Sequence, residues 1–283
     1  MTVPPIFAEA ISESVAQALR EDVGAGDLTA GLIPADAAAN ARVRAREGCI
    51  LCGTAWFDEV FCQLDGNVAV RWHFSDGEAI TAGTDVCSLQ GSATALLTGE
   101  RTALNFLQTL SATATAARRY VDAVAGTGAT ILDTRKTIPG LRDAQKYAVR
   151  CGGARNHRHG LYDAILIKEN HIAAAGGLSQ AVKAARQRPP SALLVVEVES
   201  IGQLREAMAC EVDRVLLDNF SLEQMRQAVK ERNASAAPGP TLEASGAIDL
   251  DGVRETARTG VDYISVGALT KHVRAVNFSM RFV

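Results

Sequence analysis

Hydrophobic positions change their period twice along the chain. Over residues 7–21, Ile11, Val15, Ala18 and Leu19 recur at helical spacing and predict an amphipathic helix. Residues 40–97 carry strand-like runs at 41–46, 49–52, 68–74 and 86–90. Turns at Asp65-Gly66, Asp76-Gly77 and Ala82-Gly83 divide them, which predicts a mostly β segment with helices on one side of its sheet. A long helix follows over about 100–125, its buried stripe formed by Ala103, Leu104, Leu107, Leu110 and Ala114. From residue 128, short apolar runs alternate with helical stretches: 130–132, 165–167, 193–196, 215–217, 241–242 and 263–266. Their spacing of roughly 20–35 residues predicts successive β/α units and a parallel sheet. Linkers at 187–190 and 233–240 fall between units, where insertions are tolerated.

Most of these runs end in a charge: Asp133, Lys168, Glu197, Asp218 and Glu243, with Gly267 after the last. A charge directly after a buried strand is costly unless it faces a polar site, and the carboxyl ends of the strands of a β/α barrel form such a site. One such charge could simply mark where a strand leaves the core. Five in succession favour a shared mouth.

Composition narrows the class. At 283 residues and 47% apolar content, the chain can bury a large core and is expected to hold two domains. With 29 basic against 32 acidic residues and no lysine-rich run, neither nucleic acid nor an anionic membrane is an expected partner. Glu9, Glu13, Glu21 and Asp22 near the start argue against a signal peptide, and no apolar run reaches the roughly 18 residues that span a bilayer, so a cytoplasmic protein is expected. Six dispersed cysteines do not suggest a disulfide scaffold. Cys49 and Cys52 lack the second ligand pair of a zinc site and predict a buried strand instead. Gly24-x-Gly26 is no dinucleotide fingerprint, because no strand precedes it.

The chemistry-bearing residues gather at the strand ends. After the first barrel strand comes Asp133-Thr-Arg-Lys-Thr-Ile-Pro-Gly140, with adjacent cations Arg135 and Lys136. Cys151-Gly-Gly-Ala-Arg-Asn-His-Arg-His-Gly160 adds Arg155, His157, Arg158 and His159 before the second strand, which runs into Lys168-Glu-Asn-His171. Singly, each is a solvated surface charge. Together they repel one another unless an anion or acidic neighbours compensate. The arginine fork suits carboxylate and phosphate oxygens, and lysine supplies a compact charge. Arg158 between His157 and His159 disfavours a zinc pair there. Glu197 and Asp218 have the opposite sign. They suit magnesium-bound substrate or sugar hydroxyls, could stabilise positive charge on a sugar ring, or could merely neutralise the cations. Ser245-Gly246 and Ser265-Val-Gly267 put small polar residues at the last two strand ends, where backbone amides opening a following helix make an anion nest.

These motifs resemble the quinolinate phosphoribosyltransferases. The likeness rests on Asp133 through Arg142, Asn156-His-Arg158 with Gly160-Leu161, Lys168 through His171, and Val196-Glu-Val-Glu199. It continues through Leu216-Leu-Asp-Asn219, Leu242-Glu-Ala-Ser-Gly246 and Gly260-Val-Asp-Tyr-Ile-Ser-Val-Gly267. Glu21–Thr29 and Gly99-Glu-Arg-Thr-Ala-Leu-Asn105 extend it over nearly the whole chain. Glu169, Ala247 and Lys271-His272 depart from the pattern, and of these only Ala247 adjoins an expected phosphate contact.

The resemblance implies an α/β protein: an incomplete β/α barrel over 113–269 packed on an N-terminal α/β sandwich over 1–112, which the C-terminal segment 270–283 joins. It implies a phosphoribosyltransferase of NAD biosynthesis that converts quinolinate and phosphoribosyl pyrophosphate to nicotinate mononucleotide, pyrophosphate and carbon dioxide. It also implies a homodimer in which Arg101 reaches the partner's site. Arg135, His157, Arg158 and Lys168 would hold the two quinolinate carboxylates, with Lys136 nearby. Glu197 and Asp218 would hold the ribose hydroxyls or the magnesium of the donor, and Ser245, Gly246 and Gly267 would contact phosphate. Lys136, Lys168, Glu197 and Asp218 form the expected catalytic set. Three rival readings are a Schiff-base barrel aldolase using Lys168, a non-catalytic relative that binds pyridine carboxylate or phosphate, and a paralogue with altered base specificity.

Overall fold

A computed structural model of the chain describes residues 8–187, 192–234 and 239–283. Of the two expected linkers, 188–190 and 235–238 lie outside the described residues. The chain forms two compact units. One contains the chain up to Arg118 together with Thr137–Gly153 and Thr270–Val283; the other contains Arg119–Lys136 and Ala154–Leu269.

The first unit is built on β1 (Ala38–Ala45), β2 (Cys49–Ile50), β3 (Ala69–Trp72), β4 (Ala79–Ile80) and β5 (Asp85–Ser92). The chain's final strand, β12 (Phe278–Phe282), pairs antiparallel with β1 in a four-stranded sheet of order β12-β1-β5-β3. Alternation along β1 buries Ala41, Val43 and Ala45 and exposes Arg42 and Arg44, the pattern of a sheet with one face in a core. That core also takes apolar residues from α1 (Ala8–Val23), α2 (Thr54–Leu64), α3 (Ala93–Ala123) and α4 (Arg142–Cys151).

Several elements differ from expectation. The run at 49–52 forms a strand only at Cys49 and Ile50, with Leu51 still bonded to the backbone of Gly77 and Glu78; Cys52 donates its N–H to Ser111 Oγ at 3.0 Å instead of a strand. The long helix begins at Ala93, because β5 leads straight into it and Ser92 Oγ accepts the Ala95 N–H at 3.4 Å. Residues 137–153, expected within the barrel, belong to the first unit. Tyr147 of α4 is buried there, and its hydroxyl donates to Asp76 Oδ2 at 2.9 Å. Asp76 also accepts the Gly53 and Thr54 N–H groups that open α2, so this buried carboxylate acts as a helix cap.

Asp58 gives the first unit a pH signature. Burial pushes its carboxyl up to about 6, against the opposing hydrogen bond from Trp72 Nε1 at 2.8 Å. A raised carboxyl binds its proton more tightly in the native state, so stability falls as pH rises from the unfolded value through about 6. Asp58→Asn keeps an acceptor for Trp72 and removes that cost. Thermal unfolding should show the variant stabilised at pH 8 by on the order of 1 kcal/mol, discounted for partial exposure, and unchanged near pH 4. An equal effect at both values would contradict the assignment.

The second unit carries β6 (Thr130–Leu132), β7 (Ala164–Ile167), β8 (Leu193–Val198), β9 (Arg214–Asp218), β10 (Thr241–Ser245) and β11 (Tyr263–Ser265). All neighbours are parallel, in the order β7-β8-β9-β10-β11-β6, so the first strand in sequence lies beside the last. The seam between β6 and β7 is the incomplete part. There the Arg155 backbone bridges to β6, accepting the Asp133 N–H at 3.1 Å and donating to Ile131 O at 2.9 Å. Leu194, Val195 and Val196 are all buried, as are Val215, Leu216 and Leu217, because a parallel sheet is covered on both faces. The connecting helices are α5 (Glu169–Ala175), α6 (Leu178–Ala185), α7 (Ile201–Ala209), α8 (Leu222–Asn233), α9 (Val253–Ala257) and α10 (Ala268–Lys271). Serines start two of them: Ser200 accepts the Gln203 N–H, and Ser221 forms a reciprocal cap with Gln224.

Candidate active site

Strand periodicity decides which side chains share the mouth. Successive residues point to opposite faces, so 193, 195 and 197 of β8, 214, 216 and 218 of β9, and 241, 243 and 245 of β10 form aligned rows. Glu197, Asp218 and Ser245 are the carboxyl-end members of these rows, with Lys168 just beyond β7 and Gly267 just beyond β11. Arg135 and Lys136 lie on the loop after β6, and His157 and Arg158 on the segment before β7.

Contacts tie these residues together. Lys168 Nζ donates to Glu197 Oε2 at 2.6 Å. Its backbone N–H donates to His171 Nδ1 at 3.0 Å, which gives His171 a role in shaping the start of α5. Arg158 Nη1 donates to Ala164 O at 3.3 Å. Burial and the charge of Arg135 pull Arg158 below the ordinary arginine value, and Glu197 and Asp163 partly oppose them. Like charge on Arg135 thus disfavours the Arg158 cation, a penalty that a bound anion would relieve. A Cβ on Gly267 would stand 3.0 Å from Lys136 Cδ, so the lysine stem crosses that strand end.

The donor side is shaped by Asn219, which the sequence reading gave no role. It adopts a left-handed backbone (φ 54), and its Nδ2 donates to Asp218 Oδ2 at 3.0 Å. Gly246, at φ +134, leaves no room for a side chain: a Cβ there would sit 2.6 Å from Asn219 Oδ1. Ser245, Gly246 and Ala247 line a cavity of about 490 Å³ together with Asn219 and Ser221. A helix, α10, follows Gly267 at once, as expected. None opens at Gly246, whose own backbone is not helical; α9 begins at Val253, where Asp249 Oδ1 accepts the Gly252 N–H.

Other expectations are corrected. Glu243 does not end its strand: β10 continues to Ser245, and the carboxylate is fully buried, with Arg214 Nη1 at 3.0 Å from Oε2 and His157 Nε2 at 3.3 Å from Oε1. Burial pushes Glu243 up, but His157, Arg214 and Ser265 together hold it below the ordinary glutamate value. Asp133 is likewise buried beneath the mouth, accepting from Asn156 Nδ2 at 2.6 Å and the His157 N–H at 2.8 Å. The His157 side chain is only 8% exposed. Arg101 lies exposed on α3 in the first unit.

Fold and site together define a six-stranded parallel β/α-barrel protein with basic residues and two carboxylates at the carboxyl ends of its strands. Residues 27–111 match the model of the quinolinate phosphoribosyl transferase N-terminal domain, and residues 113–281 that of its C-terminal domain. The chain belongs to the quinolinate phosphoribosyltransferase family. It is 42% identical over 278 residues to the carboxylating nicotinate-nucleotide pyrophosphorylase of Mycobacterium leprae, covering 96% of this chain and 97% of that one. It is 37% identical over 284 residues to the human protein of that name, covering 99% and 93%. The solved structure of the nicotinate-nucleotide pyrophosphorylase from Francisella tularensis superposes with a TM-score of 0.94 at 44% identity, covering 100% of this chain and 98% of that one.

Proposed function

We propose that this chain transfers the phosphoribosyl group of phosphoribosyl pyrophosphate to quinolinate, forming nicotinate mononucleotide, pyrophosphate and carbon dioxide, as a cytoplasmic homodimer that supplies NAD biosynthesis. The observation that carries the reading is the gathering of Arg135, Arg158 and Lys168 around the carboxyl ends of the parallel strands, beside Glu197 and Asp218 on adjacent strands. Cations so disposed suit an acceptor with two neighbouring carboxylates, and the acidic pair suits a donor that arrives with a hydroxylated ribose and a divalent cation.

In this scheme Arg135, Arg158 and Lys168 clamp the acceptor, with His157 beside them, and aim its ring nitrogen at the anomeric carbon. Lys136 and the backbone at Ser245, Gly246 and Gly267 receive donor phosphate, and Arg101 of a partner subunit completes the site. Glu197 and Asp218 stabilise the cationic ribose as pyrophosphate departs. Nitrogen substitution leaves the ring electron-poor, so the carboxylate on the carbon beside it leaves as carbon dioxide. The electron pair stays on that carbon, next to the positive nitrogen, and then takes a proton. Magnesium fits as part of the donor: Asp218, with one oxygen held by Asn219, would offer it a hard oxygen ligand, whereas Glu197, tied to Lys168, would reach it less directly. Bound there, the ion would neutralise charge on the departing pyrophosphate. Schiff-base chemistry is disfavoured, because it needs a desolvated neutral amine, and Lys168 is 42% exposed and ion-paired.

The two halves of the site should separate in titration calorimetry. A charge-assisted hydrogen bond to a bound ion is worth roughly 1.5–3 kcal/mol, or about ten- to a hundredfold in affinity. Arg158→Ala should weaken quinolinate by that factor and leave the donor nearly unchanged. Asp218→Asn should do the reverse, with a defect that deepens as magnesium is lowered. If Arg158→Ala lost the donor and kept quinolinate, the map of the mouth would be inverted.

A further inference from the structure

Among the described residues of the second unit, Asp133 and Glu243 are the acidic side chains with no exposed surface. A buried carboxylate is costly unless it is paired, so each calls for a reason. Glu243 lies one inward position below Ser245 on β10. Behind it, Arg214 donates to Oε2 at 3.0 Å and stacks over the Tyr263 ring, 3.9 Å from its centroid. In front, Oε1 faces His157 Nε2 at 3.3 Å, a long approach without ideal hydrogen-bond alignment.

His157 is gripped on several sides. Its N–H goes to Asp133 Oδ1 at 2.8 Å, and its Nδ1 accepts the Arg158 N–H at 2.6 Å. An Nδ1 that accepts a hydrogen bond leaves the proton of the neutral ring on Nε2, the atom aimed at Glu243. Both ring nitrogens are thus engaged with protein. The preceding residues are pinned as well, Asn156 by Asp133 and the Arg155 backbone by β6. What this segment delivers to the mouth is the next side chain, Arg158.

Resting on the quinolinate reading above, we propose that Glu243 is a positioning residue for the acceptor clamp: it fixes the His157 ring, so that the His157-Arg158 pair is held where it meets an acceptor carboxylate. Arg214 and Tyr263 form the rigid floor against which Glu243 is braced.

The test is a double-mutant cycle read by titration with quinolinate and, separately, with phosphoribosyl pyrophosphate. Glu243→Ala should weaken quinolinate tenfold or more and change donor affinity less than about twofold, because only the acceptor clamp depends on the His157 ring. Glu243→Gln retains the shape and an acceptor for Nε2, and should recover affinity to within about threefold of the parent. If Glu243 acts through His157, the Glu243→Ala, His157→Phe double variant should bind quinolinate no more weakly than His157→Phe alone. Should Glu243→Ala fail to fold, Glu243→Leu, which fills the space without an acceptor for Nε2, takes its place in the cycle with the same expected loss. Multiplying losses, a parallel fall in donor affinity, or an unchanged quinolinate affinity would each overturn the proposal. Parent protein that binds quinolinate while Glu243→Ala and Glu243→Leu are indifferent rejects this inference alone. Parent protein that binds none removes the functional reading together with it.

Discussion

With nicotinate in place of quinolinate, turnover is expected to fall by about 10²–10⁴-fold in kcat/KM. Quinolinate carries two adjacent carboxylates, and nicotinate lacks the one beside the ring nitrogen. Arg135, Arg158 and Lys168 then face a single carboxylate, and two charge-assisted hydrogen bonds go unmade at roughly 1.5–3 kcal/mol each. The repulsion from Arg135 that, after burial, lowers Arg158 then loses the relief that a second carboxylate would bring. Nicotinate also has no carboxylate at the carbon next to nitrogen, so the irreversible loss of carbon dioxide is absent. Steady-state assays with each acid at saturating donor measure the ratio directly. Equal turnover would remove the dicarboxylate clamp and favour a paralogue with altered base specificity.

The second large effect concerns assembly. Arg101→Ala and Lys168→Ala proteins should each be nearly inactive, yet a mixture should regain activity. If Arg101 serves the partner's site, a hybrid dimer combines one site lacking both residues with one site lacking neither. Random exchange of equal amounts makes about half the dimers hybrids, each with one intact site, so recovery should approach about a quarter of the parent activity. Native mass spectrometry establishes that hybrids form. Hybrids without recovered activity would show that Arg101 acts within its own chain or not at all.

The barrel was largely legible because its strands are buried on both faces and stand out as apolar runs such as Leu194–Val196 and Val215–Leu217, each followed by a polar residue. Glu197, Asp218 and Lys168 were legible for the same reason, since they end or follow those runs. Glu243 was misplaced by that logic: a charge reads as a strand end, and the sequence does not reveal that Arg214 and His157 neutralise it inside the barrel. Asn219 was missed because its contribution is a left-handed backbone and a contact with Gly246, neither visible before the loops are assembled. The placement of 137–153 in the first unit depends on Tyr147 meeting Asp76, a pairing 71 residues apart that no local pattern encodes. The edge strand β3 was legible within the run at 68–74, whereas the terminal strand β12 was not, because its place depends on its register with β1.

The central claim is that one active site couples phosphoribosyl transfer to loss of a single carboxylate. The most direct measurement supplies purified protein with magnesium, phosphoribosyl pyrophosphate and quinolinate isotopically labelled at the carboxyl beside the ring nitrogen. Labelled carbon dioxide, nicotinate mononucleotide and pyrophosphate are expected in equal amounts, with no label release when the donor is omitted. A nucleotide product that keeps both carboxylates, or labelled carbon dioxide released without donor, would contradict the account.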